Sequence, residues 1–194
     1  VKIVVDSKTQ YVDVCDATET ALVHESAAAG FLPALNKALD KKQVVITGCP
    51  RTQEIIPVDL AGEEDWKAEY LDYKLSVKVV SGVDEAIDHI NNYGSGHTDS
   101  IITGDRDKAA RFMALVDSGN VFWNCSTRFS DGFRYGLGAE VGISTGKIHA
   151  RGPVGLEGLV IYKYNLIGDG HIVADYANKI KTFKHKELQK GFPL

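Results

Sequence analysis

Cys15, in the stretch "YVDVCDATETALVHES" at residues 11–26, is one of three cysteines in the 194-residue chain. As a thiolate it would be a nucleophile for acyl chemistry, and a polar loop at a sheet edge suits that role. Spacing alone favours a buried, inert, small apolar side chain, and Cys49 and Cys125 carry the same bland reading. The three are widely separated and form no Cys-x-x-Cys pair, so neither a disulfide framework nor a structural zinc site is expected, and the thiols read as reduced. His89 and His97 stand eight apart, with His24 and His149 elsewhere. Nothing in that spacing enforces a ligand set, and no metal is expected. Arg128, Arg134 and Arg151 lie in a glycine-rich stretch, residues 125–158. They can grip a carboxylate or phosphate in a fork, or pair locally with Asp131, Glu140 and Glu157. No G-x-G-x-x-G or G-x-x-x-x-G-K-[ST] element is present, so the chain has no recognisable nucleotide-binding loop.

The elements that must position these residues belong to an ordinary globular protein. With 44% hydrophobic and 25% charged residues, the length suits one domain with a core, or one domain and an appendage. A net charge of -4 gives no reason to expect a nucleic acid or an anionic membrane as partner. No apolar run approaches the roughly 18 residues of a membrane span and no basic-then-apolar leader opens the chain, so a cytoplasmic setting is expected. The start, Val-Lys-Ile-Val-Val without Met, suggests a fragment of something longer.

Patterning predicts strands at 1–6, 20–25, 43–48, 74–80, 100–104 and 120–124. It predicts helices over 26–42, with Ser26 as N-cap and Pro33 in an early turn, over 82–92 behind a Ser81–Asp84 capping box and ended by Tyr93-Gly94, and over 105–119 capped by Asp105. The alternation implies an α/β fold, a mainly parallel sheet flanked by helices, with functional loops at the carboxyl ends of its strands. Residues 125–158 have no sustained period, and a loop of that length is uncommon unless it lines a site. Residues 159–176 read as a hairpin around Gly168-Asp169-Gly170 with nothing obvious in the chain to cover it, which suggests a partner subunit or domain.

Two blocks carry a resemblance. "NCSTRFSDGFRYGLGAEVGISTGKIHARGPVGLEGL" resembles the most characteristic block of the gamma-glutamyl phosphate reductases, a branch of the aldehyde dehydrogenase superfamily. Val80, Ala86, Ile87, His89, Ile90, Tyr93-Gly94-Ser95, His97-Thr98-Asp99 and Ile101 are similar to a second signature of that family. Cys15, Glu19, Thr20, Leu22, Val23 and His24 match the setting of its nucleophilic cysteine, and the resemblance runs from residue 1 to about 176.

The resemblance implies an aldehyde-dehydrogenase-like catalytic domain over 1–158. It also implies strands for homo-oligomerisation over 159–194, and that the dinucleotide-binding domain preceding the cysteine in the family is absent. It implies NADPH-dependent reduction of L-glutamyl 5-phosphate to L-glutamate 5-semialdehyde, a step of proline biosynthesis, through a thioester on Cys15. Glutamate 5-kinase becomes a possible partner or fusion, and the isolated chain is expected to have little activity. By the same resemblance Glu69 would hold the nicotinamide ribose, although the E-x-F-G-P that usually follows is missing. Thr127, Arg128 and Phe129 would line the substrate mouth, with Arg128, and after it Arg134, for the glutamyl carboxylate or phosphate. Asp16 stands where the family has Asn, and a carboxylate beside the thiol is expected to disfavour the thiolate. The alternatives are a catalytically silent assembling fragment, or a dehydrogenase of another aldehyde.

Overall fold

The structure is a computed structural model that describes residues 1–187. It divides into two compact units, Val1–Val160 and Ile161–Leu194. The first unit is built on a four-stranded, wholly parallel sheet in the order β1-β4-β2-β3, with β1 at Thr20–His24, β2 at Val45–Gly48, β3 at Asp59–Leu60 and β4 at Lys74–Val80. Its central strand β4 reads as a nearly continuous buried run, as a parallel strand covered on both faces must. Helix α2, Glu25–Asp40, lays Ala28, Leu32, Leu35 and Leu39 on the sheet at spacings of one helical face. With Val23, Ile46, Leu75, Val77 and Val79 these side chains form the main core.

Helix α1 occupies Lys2–Thr9, where the sequence pattern predicts a strand. The β-branched Ile3-Val4-Val5 run favours extended backbone locally, but helical spacing puts Val4 and Val5 against the core and buries Ser7 and Lys8. Tertiary packing outweighs the propensity of a few residues. Pro33 sits inside α2 rather than in an early turn, and the cap is His24, whose Nδ1 accepts from the Ser26 amide at 3.1 Å. A short helix α3, Pro50–Gln53, follows β2.

Helix α4 spans Val83–Tyr93, strand β5 Thr98–Ile101, helix α5 Arg106–Leu115 and strand β6 Asn120–Trp123. β5 and β6 pair in parallel as a separate two-stranded sheet, backed by Ile87, Phe112 and Val116. The expected capping box of α4 is replaced: Glu85 reaches back to the amide and hydroxyl of Ser81, at 2.7 and 2.8 Å. Asp105 caps α5 as predicted, its Oδ1 accepting from the amides of Asp107 and Lys108. Within the long glycine-rich stretch lie a 3-10 turn at Thr127–Phe129 and an antiparallel pair, β7 at Gly142–Ser144 and β8 at Gly152–Val154.

His89 of α4 is 5% exposed, between the rings of Trp66 and Tyr93, with Lys78 Nζ 3.1 Å from its Nδ1. Burial, then the Lys78 charge, lowers its pKa to about 4. The unfolded chain therefore takes up the proton first as pH falls, and stability is lost between the ordinary histidine value near pH 6.5 and pH 4. Denaturant unfolding is expected to show about 3 kcal/mol of loss across that window, absent in His89→Gln.

In the second unit the expected hairpin over 159–176 does not form: its only regular element among the described residues is a short helix α6, Val173–Ala177. Two strands without a third or a covering layer are marginal in water. Ile161 and Leu166 are 99% and 100% exposed. The last part of the expected 159–194 segment, residues 188–194, lies outside the described residues.

Candidate active site

The chain between α1 and β1 makes a tight turn in which the Ala17 amide donates to the Val14 carbonyl at 3.1 Å. Cys15 is at the corner of this turn, with its thiol exposed, and Asp16 is buried beneath it. The turn is held from two sides. From α1, the Ser7 carbonyl accepts from the Thr18 amide at 3.0 Å. From the 3-10 turn after β6, Thr127 Oγ1 lies 3.2 Å from Thr18 Oγ1, and Ser126 Oγ accepts from Ser7 Oγ at 3.0 Å. Arg128 completes the clasp. It is ion-paired with Asp16, and its Nε donates to Gln10 Oε1 at 2.9 Å. Nη2 is the guanidinium nitrogen that remains for an anion.

This pairing changes the electrostatic role expected of Asp16. The thiol pKa is raised, first by burial of one side of the sulfur, with the Cys15 amide opposing; Glu140 and Glu69 raise it further and Arg128 lowers it. The carboxylates that disfavour the thiolate are thus Glu140 and Glu69, while Asp16 is tied up by Arg128.

Glu69 is exposed on the segment entering β4. That segment is pinned by Tyr70, whose hydroxyl donates to Asp65 Oδ1 at 2.7 Å and lies 2.7 Å from Ser76 Oγ. Leu71, at φ 50°, donates its amide to Glu19 Oε1 at 3.4 Å, and Glu19 Oε2 is 2.7 Å from the fully buried Lys8 ammonium. Burial outweighs that pairing and raises the Glu19 pKa. Lys8 and Gln10 are absent from the sequence-based site, because only the helix α1 shows that Lys8 is buried and that Gln10, at its C-cap, reaches Arg128.

Thr127 is buried in the clasp, whereas Phe129 is 53% exposed. Arg134 donates to the Arg128 carbonyl at 2.7 Å and to Asp131 Oδ2 at 2.9 Å, the local pairing that its neighbours allow. Arg151 binds Asp117 at 2.8 Å, not the nearby Glu157, and so fastens β8 to the end of α5. Cys15 and Glu69 precede β1 and β4, and Arg128 follows β6. The site therefore joins the amino edge of one sheet to the carboxyl end of the other, not the carboxyl ends alone.

The α/β framework is aldehyde-dehydrogenase-like, and the aldehyde dehydrogenase family pattern matches residues 75–138. Gamma-glutamyl phosphate reductases from Acetivibrio thermocellus and Pelotomaculum thermopropionicum are 72% and 71% identical to all of the chain. The chain spans 45% of the length of each. The crystal structure of gamma-glutamyl phosphate reductase from Thermotoga maritima superposes with a TM-score of 0.86 at 47% identity, over 89% of this chain and 42% of that one. Over its whole length the chain is similar to gamma-glutamyl phosphate reductases, and over residues 75–138 to the aldehyde dehydrogenase family.

Proposed function

We propose that the chain is the cysteine-bearing part of an enzyme that reduces L-glutamyl 5-phosphate to L-glutamate 5-semialdehyde. The observation that carries this is the exposed thiol of Cys15 at the corner of a turn braced by the Asp16–Arg128 pair. The Cys15 thiolate attacks the acyl carbon, the carbon–oxygen bond to phosphate breaks, and inorganic phosphate leaves a glutamyl thioester on Cys15. When bound, the reduced nicotinamide cofactor, NADPH in this reading, supplies one hydride. The sulfur's remaining task is to leave: the thiohemiacetal on Cys15 collapses, the carbon–sulfur bond breaks and the aldehyde is released with the thiolate restored. The Cys15 amide, at the turn corner, suits half of an oxyanion hole. Arg128, through Nη2, takes the substrate carboxylate or phosphate, with Thr127 and Phe129 beside it and Arg134 orienting Arg128 through its carbonyl.

Glu69 fits the cofactor, since its exposed carboxylate has no ion-pair partner among the described residues and can accept from both ribose hydroxyls. The fully exposed Ile161 and Leu166 support the pairing of this segment with a second copy of the chain. The three unpaired thiols support a cytoplasmic setting. No helix of the described residues is long and apolar enough to cross a membrane. A kinase that phosphorylates glutamate would be the supplying partner.

The test is made in the reverse direction on the full-length enzyme, with L-glutamate 5-semialdehyde, phosphate and NADP. Phosphate-dependent reduction of NADP is expected, with NAD at least tenfold poorer. Turnover that ignores phosphate would assign the chain to a simple aldehyde oxidiser, and equal use of NAD would remove the NADPH preference.

A further inference from the structure

We propose that Glu140 and His97 form a subsite for the α-ammonium group of the substrate, beside Cys15. The inference rests on the reading of the Cys15 site given above. An aminoacyl phosphate of this kind carries a primary ammonium on a carbon three carbon–carbon bonds from the acyl carbon, and an ammonium leaving water needs acceptors for its three N–H donors. The nearby arginines cannot serve, and each is engaged: Arg128 with Asp16, Arg134 with Asp131. Glu140 is different. Its Oε2 accepts from the Gly132 amide at 2.6 Å, which fixes the carboxylate, while the residue is exposed and has no ion-pair partner among the described residues.

The segment carrying Glu140 is tied to both halves of the proposed subsite. Toward the thiol, Arg134 donates to the Arg128 carbonyl, and Arg128 holds Asp16 next to Cys15. Toward β5, the Tyr135 hydroxyl donates to Asn120 Oδ1 at 2.8 Å, and Asn120 Nδ2 donates to the His97 carbonyl at 3.1 Å. His97 supplies an independent observation. It is 5% exposed, its Nδ1 lies 2.7 Å from Thr98 Oγ1, and its Nε2 is buried without a hydrogen-bond partner. Burial lowers the His97 pKa, and the carboxylates that oppose this are Glu140 and then Glu69, the two that also act on the thiol. A neutral imidazole donating from Nδ1 to Thr98 presents the Nε2 lone pair as an acceptor. A buried acceptor left unpaired penalises an analogue that lacks the donor, so the subsite selects an amino acid derivative over its desamino counterpart.

The test compares L-glutamate 5-semialdehyde with 5-oxopentanoate, the same aldehyde without the amino group, using the full-length enzyme, phosphate and NADP. Wild type is expected to prefer the amino-bearing aldehyde by at least about 100-fold in kcat/KM. Glu140→Gln, which keeps the bond from Gly132, is expected to lower that preference about 30-fold, and His97→Phe about tenfold. A wild type without preference, or a preference unchanged in Glu140→Gln while wild type turns over both aldehydes, would overturn the subsite and leave the reductase reading standing. Turnover of neither aldehyde by wild type would overturn both.

Discussion

Replacing Cys15 by serine is expected to lower kcat of the full-length enzyme by at least about 10³-fold while leaving its fold intact. The alkoxide of a serine is inaccessible near neutral pH, and even an ester once formed would be a poorer hydride acceptor and a poorer leaving group than the thioester. Cys15 is exposed and its side chain forms no part of the core. The unfolding midpoint should therefore move by no more than about 0.5 kcal/mol equivalent. The result separates chemistry from architecture: a Cys15→Ser enzyme that keeps wild-type turnover would remove the nucleophile assignment. Alkylation of the wild type should accelerate with pH well into the alkaline range, since burial and the Glu140 and Glu69 carboxylates raise the thiol pKa. A bound ammonium at Glu140 would offset part of that field, coupling substrate arrival to thiol activation.

The second large effect is one of stability. The side chains of Arg128 and Asp16 are 12% and 4% exposed, so Arg128→Met strands a carboxylate in the interior. Breaking a buried pair from one side costs about 3–5 kcal/mol, far more than removing both charges. Arg128→Met is therefore expected to lose about 3–5 kcal/mol in denaturant unfolding, and the double variant Asp16→Asn/Arg128→Met to recover most of it. Equal loss in both variants would mean that Arg128 acts through packing instead of charge. The recovered double variant should remain a poor enzyme, because the guanidinium proposed to hold the substrate is gone.

These two residues show how far the sequence could be read. Cys15 and Arg128 were both singled out as candidates, the thiol through the resemblance of its flanks and the arginine through the glycine-rich block. That they meet through Asp16 was not visible, because 112 positions separate Asp16 from Arg128 and no local pattern encodes a tertiary ion pair. The parallel α/β framework was legible in the strand and helix periodicities, apart from two kinds of failure. Val1–Asp6 reads as a strand on propensity, but inward-facing Ser7 and Lys8 demand a helix. Residues 159–176 alternate like strands, but among the described residues no strand pairs with them. Lys8 illustrates the remaining blindness: a lysine in a polar stretch reads as solvated, yet it lies fully buried against Glu19. Ser81 and Glu85 show a smaller version, in which the correct helix start is reached by a different capping pair.

The central claim is that Cys15 carries the glutamyl group. The direct measurement is mass spectrometry of peptides from full-length enzyme quenched in acid after incubation with glutamate, ATP and glutamate 5-kinase, with no nicotinamide cofactor present. A hydroxylamine-labile glutamyl adduct is expected on the peptide containing Cys15, released when NADPH is added before the quench. An unmodified Cys15 in enzyme that goes on to reduce the same substrate, or a glutamyl adduct on Cys49 or Cys125 instead, would contradict it.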